Sequence, residues 1–537
     1  MTTPSKGAAV MGDATTDAGF DVLDEYFKTR LQFEDLSGKT ESELRQRLDY
    51  TQEQIDGCTI LNGSVDPILL TMVRHDLTSL QQQLYRLSHP EYGRTAEPEH
   101  LTDLGNARRL VALFGENIRY SNQHGWFVWE GRRWQRDNSG AVERFAKSTI
   151  RALYNEAAAC DDKDLREKIA AHAHKSEADA RIKAMLSLAK TEAEIVVAHD
   201  QLDRDPWLFN VKNGTLDLRT GELKPHNRED LITRLSPVDY DPKATCPAWL
   251  NFLEQIMDGN ADVIRFLRKA AGYSLTGSTR EQCLFMLYGT GANGKSTFLN
   301  ILSTILADYG CHTRMETLLA KRGDQIPNDV ARLAGARFVS AVEVEDGRRL
   351  AEGLVKQMTG GDRMSARFLH CEFFEFEPAF KIWLSFNHKP RIRGTDQAIW
   401  RRIRLIPFSV TIPEDDRDPD LLEKLKPELT GILRWAVDGC QMWMEHGLKT
   451  PDAVRAATNE YREESDVLGA FIAERCELGP DSEIAKGELY EAYREWCGKS
   501  GEYAVSKKQL GALLLEKGFS EDRSNGARFW TGIAVKP

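Results

Sequence analysis

Hydrophobic positions in this chain follow two spacings, which predict a helical amino-terminal part and a sheet-based centre. From residue 40 to 88, apolar side chains recur at helical spacing and predict an antiparallel helical hairpin. Further along, apolar runs at residues 283–288, 336–346 and 380–386 have the length and composition of buried strands. Because helix-like stretches separate these runs, the pattern predicts a multidomain α/β protein.

The run after the first predicted strand carries glycine, lysine and serine at the spacing of a nucleoside triphosphate site. It reads GTGANGKST, a complete G-x-x-x-x-G-K-S sequence between a strand and a helix-like run. Glycines let backbone N–H groups approach phosphate oxygens, and the dipole of the following helix favours the anion. We expect Lys295 to reach the β and γ phosphates and Ser296 to ligate Mg²⁺. The predicted nucleotide-binding residues are Gly289, Thr290, Gly291, Ala292, Asn293, Gly294, Lys295, Ser296 and Thr297.

The next two predicted strands end in polar residues suited to triphosphate hydrolysis. Glu343 and Glu345 lie two apart near the end of the second strand, so they share one face. One acid would hold Mg²⁺, for which Glu343 is a candidate, and the other would polarise the attacking water. Which glutamate has which role stays open. Asn387 follows the third strand and is a candidate sensor of the γ-phosphate, while ordinary turn chemistry is the alternative.

Arginines are dense in the segment that follows Asn387. The planar guanidinium suits phosphate, and Arg401 or Arg402 is a candidate arginine finger. Such a finger would enter a neighbouring subunit's site and neutralise charge in the transition state, which implies a ring. The alternative is a solvated basic loop.

Four blocks in this order resemble a superfamily 3 DNA helicase of the phage/plasmid and poxvirus primase-helicase family. The blocks are LYGTGANGKST, RFVSAVEVEDGRRL, KQMTGGDRMSARFLHCEFFEFEP and KIWLSFNHKPRIRGTDQAIWRRIRLIPF. The resemblance implies an AAA+-like P-loop ATPase core that uses ATP and Mg²⁺. It also implies a ring of identical subunits, a hexamer in this family, that moves 3′ to 5′ on DNA.

The third block resembles the family's extra motif, which leads into a hairpin that grips single-stranded DNA in the central channel. Lys356, Arg367 and His370 are the DNA-binding residues that this resemblance predicts. Phe374 and Phe376 alternate with glutamate, a pattern typical of a half-buried strand, so we expect them to pack in the core.

Residues 101–250 resemble the domain that precedes this helicase core in phage/plasmid primase-helicases. The resemblance depends on a tryptophan-rich hairpin at 125–134 and on an Asn-Gly turn within 208–218, with a charged, helix-like stretch between them. The hairpin tryptophans are expected to be buried rather than to stack on bases. Neither a cysteine cluster nor paired acids on strands precede this region, so a primase module is expected to be absent.

Residues 466–537 are predicted to contain three helices and then short strands, and they resemble the winged-helix tail of the same family. The recognition helix would span Ser506–Lys517, with Lys507 and Lys508 in its first turn. Arg528 would lie in the wing and contact DNA. A solvated protein-interaction module is the alternative.

Composition changes this picture little. The chain has 537 residues and a net charge of −11, which argues against indiscriminate DNA binding but is compatible with a basic channel inside a ring. Nine cysteines without a C-x-x-C pair indicate reduced thiols. No apolar segment of membrane-spanning length and no signal peptide is apparent, so we expect the cytoplasm, or the host cytoplasm if the chain is phage-encoded.

We therefore expect an ATP-dependent, ring-forming DNA helicase for replication of a phage, satellite or mobile element. The alternative is a DNA-dependent ATPase that initiates or loads at an origin without processive unwinding. Its expected partners are single-stranded and forked DNA, further copies of itself, and a separate primase or host replication protein, but no membrane. The predicted domains are a flexible tail (1–35), a helical hairpin for assembly or partner binding (36–100), the primase-helicase amino-terminal domain (101–250), the ATPase core (251–415), a helical lid (416–465) and the winged helix (466–537).

Overall fold

The protein is described by a computed structural model with mixed α/β architecture. The described residues are 100–320, 328–342, 349–367, 373–392, 397–524 and 527–536. The predicted tail and, except for its last residue, the predicted helical hairpin lie outside them. The described chain divides into two units, one made of residues 100–120 with 138–196 and the other of residues 121–137 with 197–536.

The first unit is helical, as the charged, helix-like stretch predicted. Its elements are α1 (Asp103–Phe114), β1 (Ile118–Ser121, which ends at the unit boundary), α2 (Ala141–Ala158), α3 (Lys163–Ser176) and α4 (Asp179–Ala189). Each helix buries one face, and Leu153 of α2 packs with Ile169 of α3. A buried hydrogen bond also joins α1 to α3, because Asn106 Nδ2 donates to Ser176 Oγ at 3.0 Å.

The second unit begins with antiparallel strands. They are β2 (Gly125–Trp129), β3 (Trp134–Arg136), β4 (Leu208–Val211), β5 (Gly214–Asp217) and β6 (Glu222–Lys224). The hairpin β2–β3 and the Asn213-Gly214 turn between β4 and β5 are both confirmed. Trp134 is fully buried, as expected, whereas Trp126 and Trp129 are only half-buried.

A five-stranded parallel sheet forms the centre of the second unit. The elements of this part are α5 (Pro247–Ile256), α6 (Ala261–Leu275), β7 (Leu284–Tyr288), α7 (Lys295–Leu306), β8 (Gly310–His312), α8 (Asn328–Ala331), β9 (Phe338–Val342), α9 (Glu352–Gly360), β10 (Met364–Ala366), β11 (Phe374–Phe376), β12 (Lys381–Phe386), α10 (Gln397–Trp400), β13 (Ile403–Pro407), α11 (Leu421–Leu425), α12 (Leu429–His446) and α13 (Asp452–Ser465). The strand order is β13-β7-β12-β9-β8. The three strands predicted from apolar runs are β7, β9 and β12, the three inner strands of this sheet.

Both faces of the sheet are covered, which explains why these strands are continuously apolar. Phe285 and Leu287 of β7 point into a core shared with α5, α6, α7 and α12. Leu284 and Met286 point into a second core, which includes residues of α9, α10 and α13. Alternate residues of one strand therefore serve opposite cores.

The last part of the chain has its own core and a three-stranded antiparallel sheet of order β14-β16-β15. Its elements are α14 (Val467–Arg475), β14 (Cys476–Ala485), α15 (Lys486–Lys499), α16 (Lys507–Glu516), β15 (Ser520–Ser524) and β16 (Ala527–Val535). The helix start at Ser506 is confirmed, because its hydroxyl accepts from Gln509 N at 3.3 Å. The expected order of three helices before any strand is wrong, since β14 follows the first helix. Its polar sequence is held in the sheet by pairing with β16.

Short 3₁₀ helices link several of these elements. They span Gly115–Asn117, His199–Gln201, Arg228–Asp230, Ala307–Tyr309, Met315–Thr317, Glu414–Asp416 and Lys426–Glu428. Within the described ranges, no helix is both long enough and apolar enough to cross a bilayer.

Candidate functional site

The carboxyl ends of the inner strands share one edge of the sheet. Tyr288, the last residue of β7, lies opposite Phe386 of β12, and Ser385 lies opposite Val342 of β9. After β7 the chain crosses to β8 at one edge of the sheet, whereas β13 forms the other edge, on the opposite side of β7. Such a change of direction opens a crevice at the carboxyl ends of the strands, where open α/β sheets bind their ligands.

The loop between β7 and α7 has the backbone shape that its glycines allow. Gly291 and Gly294 have φ values of 112° and 83°, in the left-handed region that favours glycine. Gly289 is needed for a different reason, because a Cβ there would lie 2.2 Å from Asn293 Nδ2. The loop then enters α7, whose first N–H groups have no acceptor within the helix.

Lys295 is the first residue of α7 and is buried, with its ammonium group held by three oxygen atoms. Nζ donates to the carbonyl oxygen of Gly289 at 2.7 Å and to Asn293 Oδ1 at 2.9 Å. A third, longer bond of 3.2 Å reaches Asn387 Oδ1. Three acceptors match the three donors of an ammonium group. Burial lowers the pKa of Lys295 to about 8, because desolvation disfavours the charged form.

The structure thus brings Asn387 next to the predicted phosphate loop, as expected for residues that follow adjacent parallel strands. Asn387 and Ser296 are both exposed at this edge. Glu343 and Glu345, the predicted acids, lie outside the described residues. The described part of β9 ends one residue before Glu343, at the same edge of the sheet as Asn387.

The remaining loop residues differ in their access to solvent. Thr290 and Ala292 are exposed and Thr297 is half-buried, whereas Asn293 is buried. An anion at the start of α7 would therefore meet backbone groups, a hydroxyl and the buried ammonium group of Lys295.

Arg401 and Arg402 lie at the opposite edge of the sheet. They precede β13, whose first residue, Ile403, pairs with Leu284, the first residue of β7. Five residues separate this edge from the loop, a span of about 16 Å at about 3.3 Å per residue. Neither arginine can reach the loop of its own subunit.

The two arginines have different surroundings. Arg402 is 7% exposed, and its guanidinium donates to Thr359 Oγ1 at 3.0 Å and to the carbonyl of Ala398 at 2.7 Å. Arg401 is exposed. Because a finger must extend from its own subunit, this arrangement disfavours Arg402 and leaves Arg401 as the candidate.

The third sequence block forms the predicted hairpin, with β10 and β11 as its antiparallel strands. Arg367 is exposed where the hairpin loop begins, and its guanidinium lies 4.8 Å from the ring centre of Phe373. Phe373 is itself 54% exposed, whereas Phe376 is buried as expected. Phe374 is half-buried. His370 lies outside the described residues.

The other predicted DNA-binding residues lie on separate elements. Lys356 is half-buried on α9. Lys507 and Lys508 are exposed in the first turn of α16, and Arg528 is exposed on β16. Arg528 lies directly opposite Arg523 of β15, so two like charges face each other across the pair of strands. Such a pair is destabilising unless an anion compensates it.

Sequence reasoning missed the segment that follows β13. The carbonyl of Phe408 accepts a hydrogen bond from Asn293 Nδ2 at 3.2 Å. Ile412 N donates to the carbonyl of Ala292 at 2.8 Å. This segment therefore holds the outer side of the loop, and it acts through backbone atoms that carry no sequence signal.

The fold and the loop define a class of mixed α/β protein with a glycine turn and a buried lysine at the carboxyl edge of a parallel sheet. Residues 107–258 match a family described as D5 N terminal like, and residues 287–402 match a family of unknown function, DUF5906. These matches, together with the viral relatives below, support membership of the chain in the D5-like primase-helicase family of phages and viruses.

Curated viral proteins are similar over parts of their length. A protein named Putative helicase 022R, from Frog virus 3 (isolate Goorha), is 26% identical over 424 residues, covering 63% of this chain and 43% of the relative. Putative primase C962R of African swine fever virus (isolate Tick/Malawi/Lil 20-1/1983) is 24% identical over 327 residues, covering 55% of this chain and 34% of the relative. The chain thus spans less than half the length of these relatives.

Among solved structures, the apo structure of the NrS-1 C terminal region covers 82% of this chain and 100% of its own, with a TM-score of 0.42 and 9% identity.

Proposed function

We propose that this chain is an ATP-dependent DNA helicase that works as a ring of identical subunits, six by family resemblance, with ATP and Mg²⁺ as cofactors. The observation that carries the proposal is the buried ammonium of Lys295, which lies behind a glycine turn at the start of α7 and contacts Asn387. A fixed positive group beside free helix N–H groups is suited to a polyphosphate. In the central sheet β7, its first strand along the chain, lies between β12 and β13, its fourth and fifth strands. This strand order supports an AAA+-like core.

In the proposed site, Lys295 contacts the β and γ phosphates and the exposed Ser296 hydroxyl ligates Mg²⁺. Glu343 and Glu345 divide the tasks of holding the metal and polarising water. Asn387 orients that water or senses the γ-phosphate with its amide. These roles follow from the residue types and from the contacts of Lys295 and Asn387.

The position of Arg401 supports a ring. Arg401 is exposed at the edge of the sheet opposite the loop, so as an arginine finger it would serve the nucleotide of a neighbouring subunit. An arginine supplied by a neighbour can raise the rate of phosphoryl transfer on the order of 10³-fold or more. Nucleotide hydrolysis would then depend on assembly.

Two surfaces are proposed to bind DNA. In the hairpin, the exposed pair Arg367 and Phe373 offers a charge for phosphate and a ring for base stacking, supported by Lys356 and His370. At the carboxyl end, the order helix, strand, helix, helix, strand, strand supports a winged helix whose α16 carries Lys507 and Lys508, and whose wing carries Arg528.

The biological setting is proposed from the relatives. Two of them are named helicase or primase and belong to viruses, so we propose replication of a phage, satellite or mobile element within a host cell. Movement from 3′ to 5′ and a partnership with a separate primase or host replication protein follow only from family resemblance.

The proposal is tested by ATP hydrolysis measured with and without single-stranded DNA. We expect DNA to stimulate hydrolysis by the wild type, and Lys295→Ala to lower the rate by about 100-fold or more because the ammonium is lost from the phosphates. Lys183→Ala, which removes an exposed lysine of α4, is the matched control and should keep wild-type activity. Hydrolysis that persists in Lys295→Ala would refute the site, and hydrolysis that ignores DNA would favour the initiator or loader.

A further inference from the structure

Asn293 occupies a position of the loop sequence that the G-x-x-x-x-G-K-S pattern leaves unspecified. Its side chain is nevertheless 3% exposed and uses both ends of its amide. Oδ1 accepts from Lys295 Nζ at 2.9 Å, and Nδ2 donates to the carbonyl of Phe408 at 3.2 Å. A buried amide satisfied at both ends has one fixed orientation, which makes it a rigid connection between two elements.

The loop is shaped around this side chain. Glycine is the only residue type that fits at position 289, because a Cβ there would lie 2.2 Å from Asn293 Nδ2 and 2.3 Å from the carbonyl oxygen of Phe408. Phe408 is anchored in turn, since its N–H donates to the carbonyl of Tyr288 at 2.7 Å. The connection therefore runs from Lys295 through one amide to the end of β13, a strand of the central sheet.

We propose that Asn293 is a positioning residue that aims the Lys295 ammonium at the phosphates by tying it to the end of β13. The inference rests on the proposed nucleotide site. A lysine side chain has four flexible carbons and loses entropy when fixed, so an acceptor of fixed orientation prepares it for binding.

The three bonds of the ammonium suggest which one a phosphate replaces. The bonds to Gly289 and Asn293, at 2.7 and 2.9 Å, are short and buried. The bond to Asn387 is longest, at 3.2 Å, and its partner is exposed. A phosphate oxygen thus replaces Asn387 while Asn293 keeps its hold, and the freed Asn387 amide turns to the nucleotide.

The test compares Asn293→Ala with Asn300→Ala, which replaces an exposed asparagine on α7, the helix that follows the loop. Binding of a non-hydrolysable ATP analogue and of ADP is measured, together with kcat and KM for ATP and the thermal midpoint. In Asn293→Ala we expect the affinity for the triphosphate to fall about 10-fold, and kcat at saturating ATP to fall at least as much, because a small displacement of a reacting group is costly. ADP affinity should change much less, because the γ-phosphate contact is missing.

Asn300→Ala should match the wild type in every measurement. Wild-type nucleotide binding and kcat in Asn293→Ala would overturn the inference. Equal losses for ATP and ADP with a lowered thermal midpoint would also overturn it, because Asn293 would then only shape the loop. If the wild type itself binds neither nucleotide, the proposed function fails, which is a separate and recognisable result.

Discussion

Raising the pH through the titration range of Lys295 is predicted to weaken ATP binding. Burial lowers the pKa of Lys295 to about 8 in the nucleotide-free protein. Phosphates favour the charged form and raise the pKa again when they bind. Above about pH 8 the protein must therefore take up a proton to bind ATP, and affinity decreases as pH increases. Below about pH 7 almost all of the lysine is charged. Its protonation then no longer changes with pH, so it adds no pH dependence to the affinity.

The magnitude follows from the charged fraction of Lys295. With a pKa of about 8, the ammonium form falls from most of the population at about pH 7.5 to a few per cent at about pH 9.5, so affinity should fall about 20-fold. Above about pH 7.5 the γ-phosphate of ATP is already ionised and adds little to this change.

The assay is titration calorimetry with a non-hydrolysable ATP analogue in two buffers of different ionisation enthalpy, which reports proton uptake directly. Lys295→Arg is the control, because a guanidinium stays charged over this range, and any binding it retains should not show the decrease. An affinity that is constant from about pH 7.5 to about 9.5, or an identical pH profile in Lys295→Arg, would refute the reasoning.

Two further predictions separate structural from functional basic residues. Arg402→Ala should lower the thermal midpoint by about 5 °C or more in a melting experiment, since it removes the hydrogen bonds that a buried charged side chain donates to Thr359 and Ala398. Arg401→Ala should leave the midpoint unchanged and abolish DNA-stimulated hydrolysis. A stable Arg402→Ala would contradict this. Replacing Lys507 and Lys508 by alanine should make the negative slope of log affinity for DNA against log salt concentration shallower by about 2, as measured by fluorescence anisotropy. Lys499→Ala, on α15, should leave this slope unchanged. An unaltered slope in the double variant would favour the protein-interaction alternative.

The elements predicted correctly from the sequence are those whose signal is local. The loop is recognisable because glycine, lysine and serine must have fixed spacing, and β7, β9 and β12 are recognisable because both their faces are buried. The approach of Asn387 to Lys295 could be expected as well, since residues that follow adjacent parallel strands share one edge.

The features that the sequence could not reveal depend on tertiary contacts. Residues 476–485 contain glycine, proline and acids, and they form a strand only because β16 pairs with them. Arg401 and Arg402 are adjacent and chemically identical, and only the positions of α9 and α10 decide that Arg402 is buried. The hold of Phe408 on Asn293 involves a carbonyl oxygen, which every residue possesses.

The central claim, a DNA motor driven by ATP, is tested most directly by strand separation on forked DNA. The wild type, Lys295→Ala and Arg367→Ala are compared with ATP present, alongside hydrolysis without DNA. We predict that the wild type separates the strands, that Lys295→Ala loses both hydrolysis and separation, and that Arg367→Ala keeps basal hydrolysis but no longer separates strands. Absence of strand separation by the wild type at every salt concentration, with hydrolysis indifferent to DNA, would contradict the account.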